Sequence, residues 1–416
     1  MIISVIGLGY IGLPTAAILA SRGFNVIGVD VNQSTVDIIN QGKIHIIEPE
    51  LDTLVNKVVK DNFLKSVTKP VEADIFIIAV PSPLKDNYQP DLSYIKSASK
   101  AIASVLARGN LVILESTSPV GTTEKMITWM REERPDLTFP NFGDDKFKGD
   151  VSVTFCPERV LPGHVLRELV ENDRIIGGVS TRCALRARKL YEIFVKADFV
   201  MTDCRTAELC KLAENSFRDV NIAFANELSL ICDNLDIDVW QLIKLANRHP
   251  RVNILQPGPG VGGHCIAVDP WFIVDSAPDE AKLIRTARLV NDSKPLFILT
   301  KVNQAVQATG KDISELSIAC LGLAFKPDID DLRESPALSI AKKIGFIDFN
   351  SILLVEPNID HIPSGFDSDN IELTGLERAI KNADIIVLLV DHDSFKSMDL
   401  SLLSGKQVID TRGIWS

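Results

Sequence analysis

The segment that decides the fold is IISVIGLGYIG, residues 2–12 of a chain of 416 residues. The apolar run Ile2–Ile6 predicts a buried strand, and glycines at positions 7, 9 and 12 then open a helical stretch. Glycines at this spacing allow a tight turn and let the backbone approach a pyrophosphate, which the N–H groups at the start of the helix bind. The segment therefore predicts a strand, a turn and a helix of the dinucleotide-binding kind.

The residues that follow this turn predict NAD as the cofactor. Asp30 ends the next predicted strand, at the place where an acid binds the ribose hydroxyls of a dinucleotide. Val31, Asn32 and Gln33 come next, so the chain offers no nearby cation that would neutralise the 2′-phosphate of NADP. The alternative is a glycine turn that serves only helix–strand packing, and the combination of strand, turn, helix and acid argues against it.

The alternation of strands and helices continues beyond this segment and returns near the C-terminus. The predicted strands are Ile2–Ile6, Asn25–Val29, Ile75–Val80, Leu111–Leu114, Ser317–Leu321, Ser351–Val355, Ala383–Val390 and Gln407–Ile409. Two long helical patterns, Thr206–Leu235 and Glu280–Thr309, lie between the two groups of strands. We therefore predict an α/β protein with two Rossmann-like, doubly wound lobes joined by a helical central region. The expected domains are residues 1–200, 201–310 and 311–416.

Composition and charge exclude several classes of protein. A net charge of −11 argues against a broad nucleic-acid-binding surface. Seven cysteines without a Cys-x-x-Cys pair predict a reduced, cytoplasmic chain with no disulfide framework and no metal site. The apolar stretch Ile2–Ala20 lacks a basic leader and is interrupted by Gly7, Gly9, Gly12 and Pro14, so we expect neither a signal peptide nor a membrane span.

A glycine-rich loop near residue 260 is the strongest catalytic signal. The segment PGPGVGGHCIAVD, residues 257–269, cannot be a helix or a central strand, and it delivers Cys265 at the end of its glycines. A thiolate would form a thiohemiacetal with an aldehyde, hydride loss would give a thioester, and water would hydrolyse it. Lys211 and Asn215 could stabilise the oxyanion, and Asp269 could activate the water.

The helical pattern that contains Lys211 and Asn215 has two distinct sides. An apolar stripe is formed by Leu209, Ala213, Val220, Phe224 and Ile231. Lys211, Asn215 and Arg218 share the opposite face, which periodicity alone would assign to solvent. The case for a catalytic role of these three residues therefore needs further support.

Several motifs, in order along the chain, resemble the UDP-glucose/GDP-mannose dehydrogenase family. They are GLGYIG at 7–12, ESTSPVGTT at 115–123, CPER at 156–159, GPGVGGHC at 258–265 and FKPDIDDLRESP at 325–336. The likeness spans almost the whole chain, and residues 247–272 are most similar to the UDP-N-acetylmannosamine branch, whose product feeds bacterial surface polysaccharides. The resemblance implies a homodimer with a shared active site that oxidises a UDP-sugar to its uronate with NAD.

The resemblance also implies a role for each matching residue. Cys265 would be the nucleophile, and Lys211, aided by Asn215, would act as proton donor and acceptor or as oxyanion partner. Water would be ordered or activated by Asp269, Glu158 and Thr117. The NAD site would be lined by Gly7, Gly9, Tyr10, Ile11, Gly12, Asp30, Ser82, Thr123 and Arg333, the last from a partner subunit. The nucleotide sugar would be held by Arg159, Val160, Lys211, Asn215, Arg218, His249, Arg251, Gly262, Lys326 and Arg412.

Two departures from the family pattern weaken glucose as the sugar. Arg159 stands where the glucose branch often has Phe, and His264 precedes the nucleophile where other branches vary. UDP-N-acetylglucosamine and UDP-glucose remain the near alternatives as substrates. A β-hydroxyacid dehydrogenase of similar build would need no thiol, and a non-catalytic nucleotide-sugar sensor would have no use for a set containing Lys211, Cys265 and Asp269.

Overall fold

The N-terminal sheet is built outward from the first strand of the chain. A computed structural model describes residues 1–146, 148–161 and 163–415. The first of its two units comprises Met1–Glu214 and Trp271–Pro278. Its strands are β1 (Ile2–Ile6), β2 (Asn25–Val29), β3 (Leu64–Val67), β4 (Ile75–Ile78), β5 (Leu111–Leu114), β6 (Ser152–Phe155), β7 (Arg174–Gly178) and β8 (Phe199–Asp203). They form one sheet in the order β3-β2-β1-β4-β5-β6-β7-β8.

Helices cover both faces of this sheet. They are α1 (Gly12–Ser21), α2 (Gln33–Asn40), α3 (Leu51–Lys60), α4 (Ser93–Ala103), α5 (Thr122–Glu133), α6 (Val165–Glu171) and α7 (Thr181–Tyr191). One buried apolar cluster includes residues of α1, α3 and α7, and a second includes residues of α4 and α5. The strands pair in parallel except β6 with β7. The strand order reverses between β1 and β4, which is where doubly wound sheets bind ligands.

The second unit comprises Asn215–Pro270 and Asp279–Ser416. Its strands are β9 (Ser317–Leu321), β10 (Ser351–Val355), β11 (Ile371–Leu373), β12 (Ile385–Leu388) and β13 (Gln407–Asp410), and they form a parallel sheet in the order β11-β10-β9-β12-β13. Helices α8 (Cys204–Asn234) and α10 (Asp269–Ser276) each belong partly to both units. The other helices are α9 (Val239–Ala246), α11 (Lys282–Thr309), α12 (Pro336–Ile344), α13 (Leu376–Asn382) and α14 (Asp393–Lys396).

The architecture confirms the predicted fold class, and several strand boundaries differ. The predicted strand Ile75–Val80 ends at Ile78. The predicted strand Ala383–Val390 is shorter in the structure, where it forms β12, because the buried apolar residues Leu389 and Val390 already belong to the following turn. The sequence did not reveal β3, β6, β7, β8 and β11. These strands are short or carry polar residues and glycines, so their patterns do not alternate clearly.

The apolar stripe predicted on the long central helix is exposed in the single chain. Helix α8 forms nearly as expected, but Phe224 is 52% exposed and Ile231 is 48% exposed. The side of α8 that is buried instead carries Asp219 and Asn226.

The apolar N-terminal stretch is explained by the first sheet. It consists of β1, the glycine turn and α1, whose residues are almost all buried. Within the described residues we find no helix that combines the length and the apolar character needed to cross a membrane.

Candidate active site

The turn after β1 requires glycine at two positions, because a side chain on Gly7 or Gly12 would collide with neighbouring backbone. Gly7 has a φ of +90°, and its N–H donates to the carbonyl of Val29 at 2.8 Å. A Cβ atom on Gly12 would lie 1.8 Å from the carbonyl oxygen of Gly7. The N–H of Leu8 donates to Oδ2 of Asp30 at 3.0 Å, which places the acid directly beside the turn. This arrangement fits the pyrophosphate and ribose of a dinucleotide.

The loops after β4 and β5 bring further predicted residues together. The Ser82 hydroxyl donates to the carbonyl oxygen of Thr117. Thr123 is buried at the start of α5, and its hydroxyl donates to Oε1 of Glu208 at 2.6 Å. Glu208 also accepts the N–H groups of Thr123 and Gly121, at 2.8 and 2.6 Å. Sequence reasoning missed Glu208 because no local pattern connects residues so far apart in the chain.

Glu158, a predicted water-ordering residue, belongs to a buried cluster of charges. Its Oε2 accepts from Arg174 at 2.6 Å, and its Oε1 accepts the N–H of Arg159 at 2.7 Å. The Arg174 guanidinium lies 4.4 Å from the ring centre of Tyr191, whose hydroxyl donates to Oε1 of Glu115 at 2.7 Å. Two buried carboxyl groups and one buried guanidinium therefore lie in one cluster, in which Arg174 bonds Glu158 and Tyr191 bonds Glu115. The sequence did not predict this arrangement.

This cluster predicts a pH-dependent contribution to stability. Burial, reinforced by the charge of Glu158 and opposed by Arg174, raises the pKa of Glu115 from 4.5 to about 7. Between these values the folded chain retains a proton that the unfolded chain has released, so the free energy of unfolding falls as pH rises. The loss is at most about 1.4 kcal/mol per pH unit. We expect Glu115→Gln to flatten this dependence in urea unfolding between pH 5 and 8.

The control for this experiment is Glu132→Gln, an exposed carboxylate on α5. It should keep the dependence of the wild-type chain. Parallel pH profiles for Glu115→Gln and the wild-type protein would show that Glu115 does not carry the effect.

The catalytic residues predicted in the second unit lie at the start of α10. The N–H of Asp269 donates to the carbonyl oxygen of Cys265 at 2.9 Å, so the two residues are one helical turn apart. Asp269 is buried, and its Oδ2 accepts from Nδ2 of Asn215 at 2.5 Å. Cys265 is exposed, which is compatible with the nucleophilic role predicted for it. Lys211 is half-buried on α8, one turn before Asn215.

The glycine-rich loop is fixed at both ends of its glycine run. The N–H of Gly258 donates to Oδ1 of Asn226 at 2.9 Å, and Nδ2 of Asn226 donates to Asn291 at 2.8 Å. Gly263 has a φ of +82°, and a Cβ atom there would lie 3.1 Å from the Phe325 ring. The structure thus brings together the GPGVGGHC and FKPD motifs, which the sequence had identified separately.

The predicted cations are divided between paired and exposed positions. Arg159 is paired with Glu214 at 2.9 Å and follows Glu158 into the loop where Val160 is half-buried. Arg412 donates from Nε to Asp391 at 2.8 Å, and a Cβ atom on Gly258 would lie 2.5 Å from its Nη1.

The remaining predicted ligand residues are more exposed. Arg333 is half-exposed and pairs with Asp331 at 2.7 Å. The others that lie toward solvent are Gly9, Lys326, Arg218, His249 and Arg251, while Tyr10, Ile11 and Gly262 are half-buried.

Three family models together match most of the chain. They describe the NAD binding domain, the central domain and the UDP binding domain of the UDP-glucose/GDP-mannose dehydrogenase family, and they match residues 1–195, 205–293 and 319–416. The chain belongs to the UDP-glucose/GDP-mannose dehydrogenase family. The family resemblance, the enzyme class and the NAD cofactor expected from the sequence are thereby confirmed.

Named relatives within this family cover the chain almost end to end. A UDP-N-acetyl-D-mannosamine dehydrogenase from Campylobacter jejuni is 63% identical over 94% of this chain and 96% of its own length. An NDP-N-acetyl-D-galactosaminuronic acid dehydrogenase from Ralstonia nicotianae is 59% identical over 100% of this chain and 96% of its own length. The solved UDP-D-ManNAc dehydrogenase of Pyrococcus horikoshii superposes with a TM-score of 0.89 at 40% identity, covering 100% of this chain and 96% of that chain.

Proposed function

We propose that this chain oxidises UDP-N-acetyl-D-mannosamine to UDP-N-acetyl-D-mannosaminuronate with two molecules of NAD. The observation that carries the proposal is the exposed Cys265 thiol one helical turn before Asp269, which is buried and accepts a hydrogen bond from the half-buried Asn215. A dehydrogenase that stopped at the aldehyde would need no thiol. The likeness to the Campylobacter jejuni enzyme supports the mannosamine sugar.

The glycine turn and the loops beside it would hold the cofactor. Gly7, Gly9 and Gly12 would leave room for the pyrophosphate, and Asp30 would accept hydrogen bonds from ribose hydroxyls. Tyr10, Ile11, Ser82 and Thr123 would line the remaining surface, with Glu208 orienting the Thr123 hydroxyl. NAD, when bound, supplies the acceptor for each hydride.

Cys265 would carry the second half of the oxidation. Its thiolate adds to the aldehyde carbon and forms a thiohemiacetal, whose hydride leaves to give a thioester. Water then breaks the carbon–sulfur bond and returns the thiol. The overall reaction converts one alcohol, two NAD⁺ and one water into one carboxylate, two NADH and three protons.

Charged and polar side chains would stabilise the developing charge and position water during the reaction. Lys211, as proton donor and acceptor, and Asn215 would stabilise the oxyanion of each tetrahedral species. Asp269 would order or activate the hydrolytic water, together with Thr117 and Glu158.

The nucleotide sugar would be recognised mainly by cations, which suit a diphosphate. The proposed contacts are Arg159, Val160, Lys211, Asn215, Arg218, His249, Arg251, Gly262, Lys326 and Arg412. In this proposal, residues 1–200 bind NAD, residues 201–310 carry catalysis and dimerisation, and residues 311–416 bind UDP. The match of residues 319–416 to a UDP binding domain supports the last assignment.

The exposed face of α8 supports a homodimer. Phe217, Phe224 and Ile231 recur every seven residues and are 73%, 52% and 48% exposed. Residues at this spacing form one stripe, and a second copy of the chain would remove it from water. Arg333 would then reach NAD bound to the partner subunit. We place the enzyme in the cytoplasm, where NAD and reduced thiols are present and the uronate would enter surface polysaccharide synthesis.

The stoichiometry of NADH tests the reaction and the sugar together. Purified protein is given limiting UDP-N-acetylmannosamine, UDP-N-acetylglucosamine, UDP-N-acetylgalactosamine or UDP-glucose, with NAD in excess. We expect two NADH per mannosamine sugar and a strong preference for that substrate. One NADH per sugar would refute the thioester route, whereas two NADH with the galactosamine sugar would reassign the substrate toward the Ralstonia relative.

A further inference from the structure

A buried histidine after β12 contacts the motif that carries Lys326. His392 is fully buried, and its Nδ1 accepts the N–H of Asp328 at 2.9 Å. Its Nε2 lies 3.1 Å from Oε2 of Glu356, which is also buried. Because Nδ1 accepts a hydrogen bond, the ring proton is on Nε2 and donates to the carboxylate. His392 therefore joins the end of β10 to the FKPD turn.

The FKPD turn, residues 325–328, has a backbone conformation that needs support. Asp328 has a φ of +60°, which residues other than glycine rarely adopt. Its N–H is held by His392, and its Oδ1 accepts the N–H of Asp393 at 3.1 Å. Both contacts come from the same segment, residues 391–393, which follows β12. The turn is thus anchored from one side at two points.

The FKPD turn packs against the glycine-rich loop that carries Cys265. The Phe325 ring lies against Gly263, and a Cβ atom on Gly262 would lie 3.1 Å from Cβ of Phe325. The same segment also orients Arg412, whose Nε donates to Asp391 at 2.8 Å. Residues 391–393 therefore contact the elements that carry two of the predicted diphosphate-binding cations of the second unit, Lys326 and Arg412.

We propose that His392 is a positioning residue of the nucleotide site, which fixes the FKPD turn so that Lys326 and the glycine loop bind the diphosphate of UDP. The inference rests on the proposed function, in which these residues hold the nucleotide. His392 itself is buried and touches no substrate. Its contribution is the hydrogen bond to the Asp328 amide, without which the turn at φ +60° would populate other conformations.

Two isosteric substitutions separate the two hydrogen bonds of His392. An asparagine can place an acceptor near the position of Nδ1, so His392→Asn keeps the bond to the Asp328 amide. A glutamine can place a donor near the position of Nε2, so His392→Gln keeps only the bond to Glu356. The affinities for UDP and for NAD are measured separately by calorimetric titration of the wild-type protein and both variants. The control is His361→Gln, which replaces an exposed histidine of the same unit.

We expect His392→Gln to weaken UDP binding about tenfold and His392→Asn to stay within about threefold. KM for the sugar nucleotide should rise in parallel, with kcat and NAD affinity close to wild type. Asp328→Gly, at an exposed position where glycine adopts the same φ, keeps the amide bond to His392 but removes the carboxylate that accepts the Asp393 N–H. It should weaken UDP binding in the same direction.

Three results would overturn the proposal. They are UDP affinity unchanged in His392→Gln, equal losses in His392→Asn and His392→Gln, or an equal loss of NAD affinity. The test is independent of the sugar, because UDP is the probe. If the wild-type protein binds UDP but does not oxidise the mannosamine substrate, the proposed function fails while the comparison of the variants still stands.

Discussion

Replacement of Cys265 by serine is expected to lower steady-state NADH formation by at least about a thousandfold. The serine hydroxyl is nearly the same size, but it is a far weaker nucleophile at neutral pH, so the aldehyde would not be converted into a covalent adduct. Rapid mixing of enzyme, NAD and substrate should therefore yield at most one NADH per active site. This measurement separates the first oxidation, which needs no thiol, from the second.

The matched control is Cys210→Ser, a partly exposed cysteine on α8. It should keep the wild-type rate and two NADH per sugar. If Cys265→Ser retains activity within about tenfold, the thiol is not the nucleophile and a thioester route is excluded.

Replacement of Asp269 by asparagine is expected to lower kcat by a factor of about 10² to 10⁴. The shape and the hydrogen bond with Asn215 are kept, since an asparagine can present its oxygen to Nδ2 of Asn215. The negative charge that would activate water is lost. The variant should therefore form the thioester and then stall, giving a burst of two NADH per active site.

The stalled species should be visible by mass spectrometry as a uronyl adduct on Cys265. Asp275→Asn serves as the control, because Asp275 is exposed on the same helix. A uniform slowing of both oxidations without a burst would assign Asp269 to an earlier step and leave the hydrolysis to another group.

The sequence was informative wherever the local geometry is set within a short segment of the chain. The turn from Gly7 to Gly12 and its acid, Asp30, were predicted in place because strand, turn and helix are neighbours in the chain. The link between Cys265 and Asp269 was equally accessible, since the two residues are one helical turn apart. In each case the spacing along the chain carries the geometry.

Contacts between distant segments were not predictable in the same way. Nothing near Glu158 indicates that Arg174 will pair with it, and nothing near Thr123 indicates Glu208. These partners are set by the order of strands in the sheet, which one sequence does not disclose. The exposure of Phe224 had a related cause, because periodicity identifies an apolar stripe without saying whether the same chain covers it.

An acid follows the second strand of each lobe, and the two acids differ in how deeply they are buried. Asp30 is half-buried and accepts the amides of Leu8 and Asn32. Glu356 is buried, and its Oε2 accepts the amide of Leu323 at 2.7 Å beside His392. If variants are selected for use of NADP instead of NAD, we expect the selected substitutions to accumulate at position 30. Position 356 should stay unchanged, because Glu356 supports the fold through Leu323 and His392 and is not proposed to contact the cofactor.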